Sequence, residues 1–351
     1  MKLWLYIVRR LLLIIPTLIG LTLITFILIH VQGNNLIIAE YLNPHLTGAA
    51  RDYAIQQLYQ RFHLNDPLYI QYMYWLIQVL NGDLGFTRTP IYSGPVTTAL
   101  ALFYPNTIML AVISSILIWI IGIPIGVWSA VKRDSLFDQS MRVVTFTLYA
   151  MPPYLVYLLV LIVFAVYLSL FPISGAVNPL LLQGIDWYSN GISYPTHIVF
   201  IDALLHGNFA IALDSIWHFI LPSIGLALGG VAGIIRLLRS SMLEVLDQDY
   251  IRMARSKGIR EKYVINTHAR RNALIPALTS FVYGFAGLLG GVVVTETIFN
   301  IPGVGYWTVQ ALLNNDAGGI MGSTLIFGII LVTASLILDL IYAAIDPRVR
   351  Y

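Results

Sequence analysis

Seven basic side chains stand close together in one polar insert of an otherwise apolar chain. The insert reads DQDYIRMARSKGIREKYVINTHARRNALIPAL over residues 247–278, and the whole chain of 351 residues has only 20 Lys and Arg. Such a stretch either docks a partner or is a solvated loop that keeps to the cytoplasmic side of a membrane. The seven residues are Arg252, Arg255, Lys257, Arg260, Lys262, Arg270 and Arg271.

Apolar residues interleaved with these charges favour the docking element. We predict a short helix over YIRMARSK, capped by Asp247 or Asp249 and ended by Gly258, which suits a left-handed C-terminal position. A second short helix, REKYVINTHARRNA, follows it. Two helices joined at a Gly turn form a compact knob, whereas a solvated linker would not need the apolar set. Its members are Tyr250, Ile251, Met253, Ile259, Tyr263, Val264 and Ile265.

The elements that position this insert are membrane spans. The chain is 58% hydrophobic and 11% charged, with a mean hydropathy of +0.78, which is too apolar for one water-soluble core. We predict an all-α integral membrane protein with six transmembrane helices, each long enough for a hydrocarbon layer of roughly 30 Å. They run approximately over residues 11–30, 105–131, 143–170, 216–238, 274–298 and 319–343.

The basic residues set the expected orientation, because Lys and Arg stay on the cytoplasmic side. Only Arg51, Arg61 and Arg88 fall in the other set of loops. We therefore expect a multi-pass protein of the prokaryotic cell (plasma or inner) membrane with both termini and the insert in the cytoplasm. The remaining basic residues flank the spans or lie in the insert, and those outside it are Lys2, Arg9, Arg10, Lys132, Arg133, Arg142, Arg236, Arg239, Arg348 and Arg350.

Three outer loops are expected. The first is long, and DPLYIQYMYWLIQVLNGDLG within it predicts a surface helix with Asp66 as N-cap and Pro67 at the first helical position. The second contains Asp186, Asp202 and Asp214 and no Lys or Arg, so these carboxylates either meet a partner or are solvated. The third, FNIPGVGYW, is a Pro-Gly turn that could re-enter the membrane edge.

Glycines recur at helical spacing in the fourth and fifth segments. One face carries Gly225, Gly229 and Gly233, and another carries Gly284, Gly287, Gly290 and Gly291. We expect such faces to let helix backbones approach closely, with a moving gate as the alternative.

Several kinds of chemistry lack their sequence signature. The chain has no Cys, no P-loop, no H-E-x-x-H and no G-x-S-x-G motif, so a membrane enzyme has no catalytic constellation here. His197 and His206 flank Asp202 and would allow a metal site, but hydrogen-bonded loop histidines are favoured. An ion-coupled secondary carrier acting alone would need carboxylates or His near the bilayer midplane, and the sequence does not place them there.

The insert resembles the EAA loop of ABC importer permeases, in the version found in the oligopeptide, dipeptide and nickel family. Ala254 and Gly258 keep the spacing of that pattern, whereas Arg252 stands where the acidic residue begins it and Met253 replaces an Ala. The likeness continues along the chain in RRLLLIIPTLIGLTLITF, NGDLGFT, GIPIGVWSAVKRDSLFD, FPISG, RSSMLEVL, TETIFNIPGVG and DPRVR.

This resemblance implies a type I ABC importer permease with an extended first extracytoplasmic loop. It implies an anchor helix over 1–30, an extracytoplasmic region with amphipathic helices over 31–94, a permease core over 95–343 with its coupling loop at 244–273, and a cytoplasmic tail over 344–351. The implied partners are a second homologous permease in a heterodimer, two cytoplasmic ABC ATPases, an extracytoplasmic substrate-binding protein and the lipid membrane, with no nucleic acid. No cofactor would bind this chain directly, because ATP and Mg belong to the ATPases.

The implied activity is ATP-driven import by alternating access, with di- or oligopeptides as cargo and an oligosaccharide or nickel as the runner-up. The loop 247–273 would couple the ATPases to the spans, and the chain itself would not be an enzyme. The residues expected to couple are Tyr250, Ile251, Arg252, Ala254, Arg255, Lys257 and Gly258. For the outer gate or pathway the candidates are Tyr149, Met151, Tyr154 and Glu296.

Overall fold

The structure is a computed structural model that describes residues 3–31, 38, 41–43, 45–189, 192–289 and 292–345; the side chains of residues 3–11, 28, 31 and 338–345 are outside that description. The expectations for Lys2, Gly290, Gly291 and the tail over 346–351 therefore lie outside the described residues, as do those for the Arg9 and Arg10 side chains.

Long helices dominate the described part of the chain. Four of them are long and apolar enough to cross a membrane, over Val96–Val131, Phe209–Leu246, Glu261–Leu289 and Ala317–Ile337. The pair Leu136–Ala150 and Pro153–Tyr167 makes a fifth if it is one span, and the first helix contributes the shorter apolar stretch Leu12–Ile27. The expected count of six is thus not fully confirmed. The helices of this bundle are α1 (Leu3–Val31), α4 (Val96–Val131), α5 (Leu136–Ala150), α6 (Pro153–Val160), α8 (Phe209–Leu246), α10 (Arg270–Leu289) and α13 (Ala317–Ile345).

Shorter elements connect and flank these helices. They are α2 (Gly48–Arg61), α3 (Leu68–Leu80), α7 (Val199–Leu205), α9 (Asp249–Ser256), α11 (Val293–Ile298), α12 (Val304–Leu313) and a 3₁₀ turn at Pro179–Leu182. Two antiparallel hairpins add β1 (Phe86–Thr89) with β2 (Tyr92–Pro95), and β3 (Tyr188–Ser189) with β4 (Ile192–Ser193). The all-helical prediction is therefore correct for the bundle and missed these hairpins.

The third predicted span is broken rather than continuous. The α5 and α6 axes differ by 107°, although one segment was expected over 143–170. A residue before proline is pushed out of the helical region. Met151 and Pro152 both precede a proline and are extended, with ψ of 138° and 133°. Beyond the bend, α6 continues as a π-helix over Leu161–Tyr167.

The fifth predicted span also differs. Its helix begins at Glu261, well before the expected Leu274, and ends at Leu289. The short helix α11 then stands apart from it. The polar start of this helix has too little hydropathy to be read as part of a span, which is why the expectation began too late.

Small residues bring α4 and α8 together, but not the glycines that were predicted. A Cβ built at Gly122 would lie 3.0 Å from Ile234, and one at Gly126 would lie 3.1 Å from Leu238. A step of four residues along α4 thus matches a step of four residues in the same direction along α8. The helices therefore run parallel. Gly229, Gly233, Gly284 and Gly287 meet nothing within 4 Å, so the expected close approach at these four positions is wrong within this chain.

The two ends of the bundle differ. Asp316, just before α13, accepts hydrogen bonds from the Thr87 hydroxyl and the Arg88 amide of β1, which joins the first hairpin to this end. We call it the hairpin end. The C-termini of α4 and α8 lie at the opposite end, which carries α9 and is called the α9 end. Since α1 packs against α13 near Phe26 and Met321, α1 approaches the hairpin end with its C-terminus.

Candidate functional site

The insert folds into a small helical hairpin at the α9 end. Gly258 has φ of +73°, so it takes the left-handed position predicted for it and ends the helix. The N-cap is Gln248 and its side chain makes no capping hydrogen bond, so the prediction of Asp247 or Asp249 as the cap is wrong. Asp249 instead opens the first turn, where its negative charge interacts favourably with the helix dipole.

The second half of the hairpin is not a separate helix. Glu261–Tyr263 and a π-helix over Val264–Ala269 lead without a break into α10. The prediction of a free second helix is therefore wrong in its boundary, because the polar stretch REKYVINTHARRNA is the first part of a spanning helix. We call α9 together with residues 257–273 the knob.

The inner face of α9 is buried. Ile251 is 0% exposed and Ala254 is 9% exposed. Both belong to one apolar cluster with Val264, Ala269 and Ala273 of the following helix, and this cluster includes Leu238 and Met242 of α8. The knob is therefore part of the same packed core as the spanning helices, so a displacement of α9 must displace α8 and α10 as well.

Polar contacts close the knob. Arg255 donates from Nε and Nη2 to the Glu261 carboxylate at 3.1 and 2.7 Å. This hydrogen bond raises the pKa of the Arg255 guanidinium, which stays charged. Asn272 donates from Nδ2 to the Tyr250 hydroxyl at 2.9 Å. This hydrogen bond joins the first turn of α9 to the start of α10.

The outer face of α9 is exposed and mixed in character. Met253 is 55% exposed and Tyr250 is 41% exposed. Beside them Arg252, Lys257 and Gly258 are also exposed. The seven residues expected to couple thus divide: Ile251 and Ala254 face inward, Arg255 and Tyr250 contact the rest of the knob, and Arg252, Lys257 and Gly258 face outward. Met253, which was not among them, is the most exposed large apolar residue of α9.

A buried ion pair lies next to the knob. Arg239 of α8 donates from Nε and Nη2 to the Asp138 carboxylate of α5 at 2.6 and 2.8 Å. Ser129 of α4 and the Asp134 amide donate to the same carboxylate at 2.5 and 3.0 Å. Asp138 is 0% exposed, so three helices meet at one fully hydrogen-bonded charge. Sequence patterns do not reveal this cluster, because Arg239 is 101 residues from Asp138.

The four pathway candidates do not come together. Tyr149 and Tyr154 are exposed on either side of the bend, and Met151 lies at the bend, packed against a core cluster. Tyr149 stacks on Arg236 of α8, with the guanidinium carbon 4.2 Å from the ring centroid. Glu296 forms its side-chain hydrogen bonds with Thr107 and Tyr306 and, in the described part of the chain, with none of these three residues.

Glu296 is a fully buried carboxylate. It accepts hydrogen bonds from the Thr107 hydroxyl of α4 and the Tyr306 amide of α12, both at 2.7 Å. The Thr107 hydroxyl in turn accepts from the Val304 amide at 2.9 Å. The carboxylate thus holds the turn between α11 and α12 against α4. The Pro-Gly turn predicted at FNIPGVGYW folds back into the protein, and Ile301 in it is 0% exposed.

Two histidines of the segment between α6 and α8 form local hydrogen bonds. His197 and His206 each place Nδ1 2.8 Å from a main-chain oxygen, of Ser193 and Asp202 respectively. Within the described residues, no group of three or more His, Asp and Glu is arranged to hold a metal ion. The alternative of a metal site at Asp202 therefore has no geometric support there.

Comparisons with known proteins agree with this architecture. Residues 122–351 match the family described as binding-protein-dependent transport system inner membrane component. The chain belongs to this family. It is a multi-pass membrane permease subunit of an ABC transporter with the type I fold, and it is not itself an enzyme. Permeases of this family work with an ATPase and a substrate-binding protein.

Three relatives illustrate the similarity. The dipeptide transport system permease protein DppB of Escherichia coli (strain K12) is 35% identical over 99% of this chain and 98% of its own length. The oligopeptide transport system permease protein AppB of Bacillus subtilis (strain 168) is 35% identical over 99% of each chain. The di/tripeptide transport system permease protein DppB of Pseudomonas aeruginosa (strain UCBPP-PA14) is 35% identical over 99% of this permease and 98% of its own length.

Proposed function

We propose that this permease forms half of a translocation pathway for di- or oligopeptides and that the knob receives the ATPase. The names of the three relatives, all peptide transport permeases, support the cargo. The α9 end would face the cytoplasm, because 17 of the 20 Lys and Arg lie on the flanks and in the insert that we assign to that side. Both termini would then be cytoplasmic.

The observation that carries this proposal is the division of α9 into two faces. Its inner face is continuous with the core of α8 and α10, whereas Met253, Arg252 and Lys257 are left on the outside. A solvated loop would not need a buried anchor of this kind. A partner bound to the outer face would push or pull two spanning helices through Ile251 and Ala254.

We assign the coupling residues accordingly. Tyr250, Arg252, Lys257 and Gly258 would contact an ABC ATPase, joined by Met253. Ile251 and Ala254 would transmit the movement, and Arg255 would keep the knob closed through Glu261. Two such ATPases carrying ATP and Mg, and a second homologous permease forming a heterodimer with this chain, complete the transporter.

The hairpin end would receive the substrate-binding protein. Two of the three acidic residues considered for this contact are unsuitable: Asp202 is buried, and Asp214 accepts a hydrogen bond from the Asn178 amide. Asp186 is exposed and stays a candidate. Glu296 would hold the outer end of the pathway together, and Tyr149, Met151 and Tyr154 would line the pathway around the bend.

The test is ATP-driven uptake by the reconstituted transporter. Proteoliposomes containing this chain, its partner permease and both ATPases are supplied with the binding protein and a labelled peptide, and uptake and ATP hydrolysis are measured together. We expect Met253→Asp to abolish both, because a carboxylate would be desolvated at the interface. The matched control Met253→Leu keeps an apolar side chain and should retain both activities.

A second variant tests the shape of the knob. Gly258→Pro cannot adopt φ of +73° and should abolish coupling while the chain remains in the membrane. Normal transport by Gly258→Pro, or uptake by this permease in vesicles without ATPases, would contradict the proposal. The second result would support an ion-coupled carrier. Uptake of an oligosaccharide or nickel instead of peptides would keep the importer and replace the cargo, since the fold does not encode the cargo.

A further inference from the structure

A large cleft lies between α5 and α8 near the Asp138 cluster. Its volume is about 810 Å³, and the cleft is open on one side rather than enclosed. Arg142, Arg236 and Arg239 line it together with Thr145, Thr147, Ser240 and the Tyr149 ring, and no Asp or Glu is among its lining residues. Apolar side chains, Phe146 and Ile235 among them, line the rest of the cleft. Arginine at a spanning helix is expected where the helix faces water or protein, because hydrocarbon does not solvate a guanidinium.

The helix α5 crosses α8 steeply at this cleft. Asp138 and Tyr149 lie eleven residues apart on α5, which is about 16 Å along a helix. Their partners on α8, Arg239 and Arg236, lie only three residues apart, or about 4.5 Å. One end of α5 is therefore clamped by the ion pair and the other end rests on Arg236, and the cleft lies between these two contacts.

The three arginines of the cleft differ in how their charge is matched. The charge of Arg239 is balanced by the Asp138 carboxylate, to which it donates two hydrogen bonds. Arg142 lies 3.5 Å from the Asp134 carboxylate and 3.6 Å from that of Asp138. Arg236 has no carboxylate within 4 Å in the described part of the chain, and it is exposed into the cleft under the Tyr149 ring. The stacking fixes the guanidinium and leaves its edge free to donate.

We propose that Arg236 is the binding site for the terminal carboxylate of the peptide cargo as it leaves through the α9 end. The proposal rests on the proposed function, since it needs a peptide in the pathway. A guanidinium binds a carboxylate through two parallel hydrogen bonds. The volume of the cleft exceeds what a di- or tripeptide needs, and its hydroxyl and aromatic lining accepts varied side chains.

The test compares trialanine with trialanine amide, which differ only in the terminal charge. The complete complex of both permeases and both ATPases is placed in phosphatidylcholine nanodiscs without nucleotide, and saturation-transfer NMR measures the binding of each peptide. The wild-type complex should bind trialanine about tenfold more tightly than its amide, as expected for a hydrogen bond to a charged group. Arg236→Gln should bind both peptides equally, and Arg236→Lys should keep part of the preference.

A matched control removes another arginine from the same end of the bundle. Arg133 is exposed and does not line the cleft, so Arg133→Gln should keep the preference for trialanine. Equal binding of the two peptides by the wild-type complex, or an unchanged preference in Arg236→Gln, would overturn the assignment. Loss of the preference when phosphatidylglycerol is added would also overturn it, because the arginine would then belong to a lipid phosphate.

Uptake by the wild-type transporter separates this inference from the function on which it rests. If proteoliposomes take up peptide with ATP but Arg236→Gln shows no change in carboxylate preference, only the assignment of Arg236 fails. If the wild-type transporter takes up no peptide, the proposed cargo itself fails. In the expected case, Arg236→Gln slows uptake severalfold while the binding protein still stimulates ATP hydrolysis, because the knob is unchanged.

Discussion

Asp138 of α5 and Arg239 of α8 are 101 residues apart in sequence and form a two-bond ion pair, with oxygen–nitrogen distances of 2.6 and 2.8 Å. Ser129 of α4 donates to the same carboxylate, so this one charge joins the ends of three helices beside the knob. Removing either partner of a buried pair leaves an unmatched charge, which costs far more than the pair contributes.

Asp138→Asn should therefore destabilise the permease by about 3 kcal/mol, because Arg239 loses its counter-ion. The expected observation is a lower melting temperature of the detergent-solubilised complex and loss of ordered α5 in hydrogen exchange. Asp134→Asn is the matched control. Its carboxylate is 66% exposed, so its pairs with Arg133 and Arg142 contribute less than about 1 kcal/mol. Equal effects of the two variants would show that the buried pair does not hold α5.

The close approach of Glu296 to Gly305, in the first turn of α12, gives a second prediction. A Cβ at Gly305 would lie 2.9 Å from both the Glu296 carboxylate and Val293 Cα, whereas one at Gly287 would meet nothing within 4 Å. Gly305→Ala should destabilise the chain by about 1–3 kcal/mol through overpacking. Gly287→Ala should be neutral or slightly stabilising, because alanine favours the helix.

Thermal unfolding of the two glycine variants, measured side by side in the same detergent, provides the comparison. A stable Gly305→Ala variant with normal transport would mean that the turn can move away from Glu296. In that case the carboxylate would not fix the hairpin end of α4 against α12.

Packing rather than the ion pair should hold the knob together. Arg255 and Glu261 are 41% and 55% exposed, so Arg255→Gln should cost less than about 1 kcal/mol. Ile251 is fully buried, and Ile251→Ala should cost about 2–4 kcal/mol of local stability. Hydrogen exchange of the α9 amides measures both, and faster exchange in Arg255→Gln than in Ile251→Ala would reverse this ranking.

The sequence allowed the knob to be located because its signals are local. Gly258 ends a helix where a positive φ is needed, and the apolar residues on either side of it reveal a buried face. The same reasoning failed where the outcome depends on a distant partner. Nothing near Asp138 in the sequence points to Arg239. Likewise, no residue of α8 indicates that a Cβ built at Gly225 would lie 3.3 Å from Tyr157 while one at Gly229 would meet nothing within 4 Å.

The third span is broken where one continuous segment was expected over 143–170. Its two helices meet at 107° at the Pro152-Pro153 pair, and hydropathy alone does not reveal such a bend. The fifth span shows the opposite limit. Its start at Glu261 is polar, so hydropathy placed the boundary at Leu274 even though the helix is continuous.

The segment between α6 and α8 gives the last prediction, which concerns two aspartates with different surroundings. Asp202 accepts hydrogen bonds from the Thr196 amide and hydroxyl at 2.8 and 2.7 Å and is 0% exposed, whereas Asp186 is exposed. Asp202→Ala leaves the Thr196 amide without its acceptor and should speed hydrogen exchange across α7 and β4 at a cost of about 1–3 kcal/mol. Asp186→Ala should leave this exchange unchanged and, if the carboxylate meets the binding protein, slow the association of that protein at low salt. Faster exchange in Asp186→Ala would contradict the structural role assigned to Asp202, because only a buried acceptor can protect the amides that depend on it.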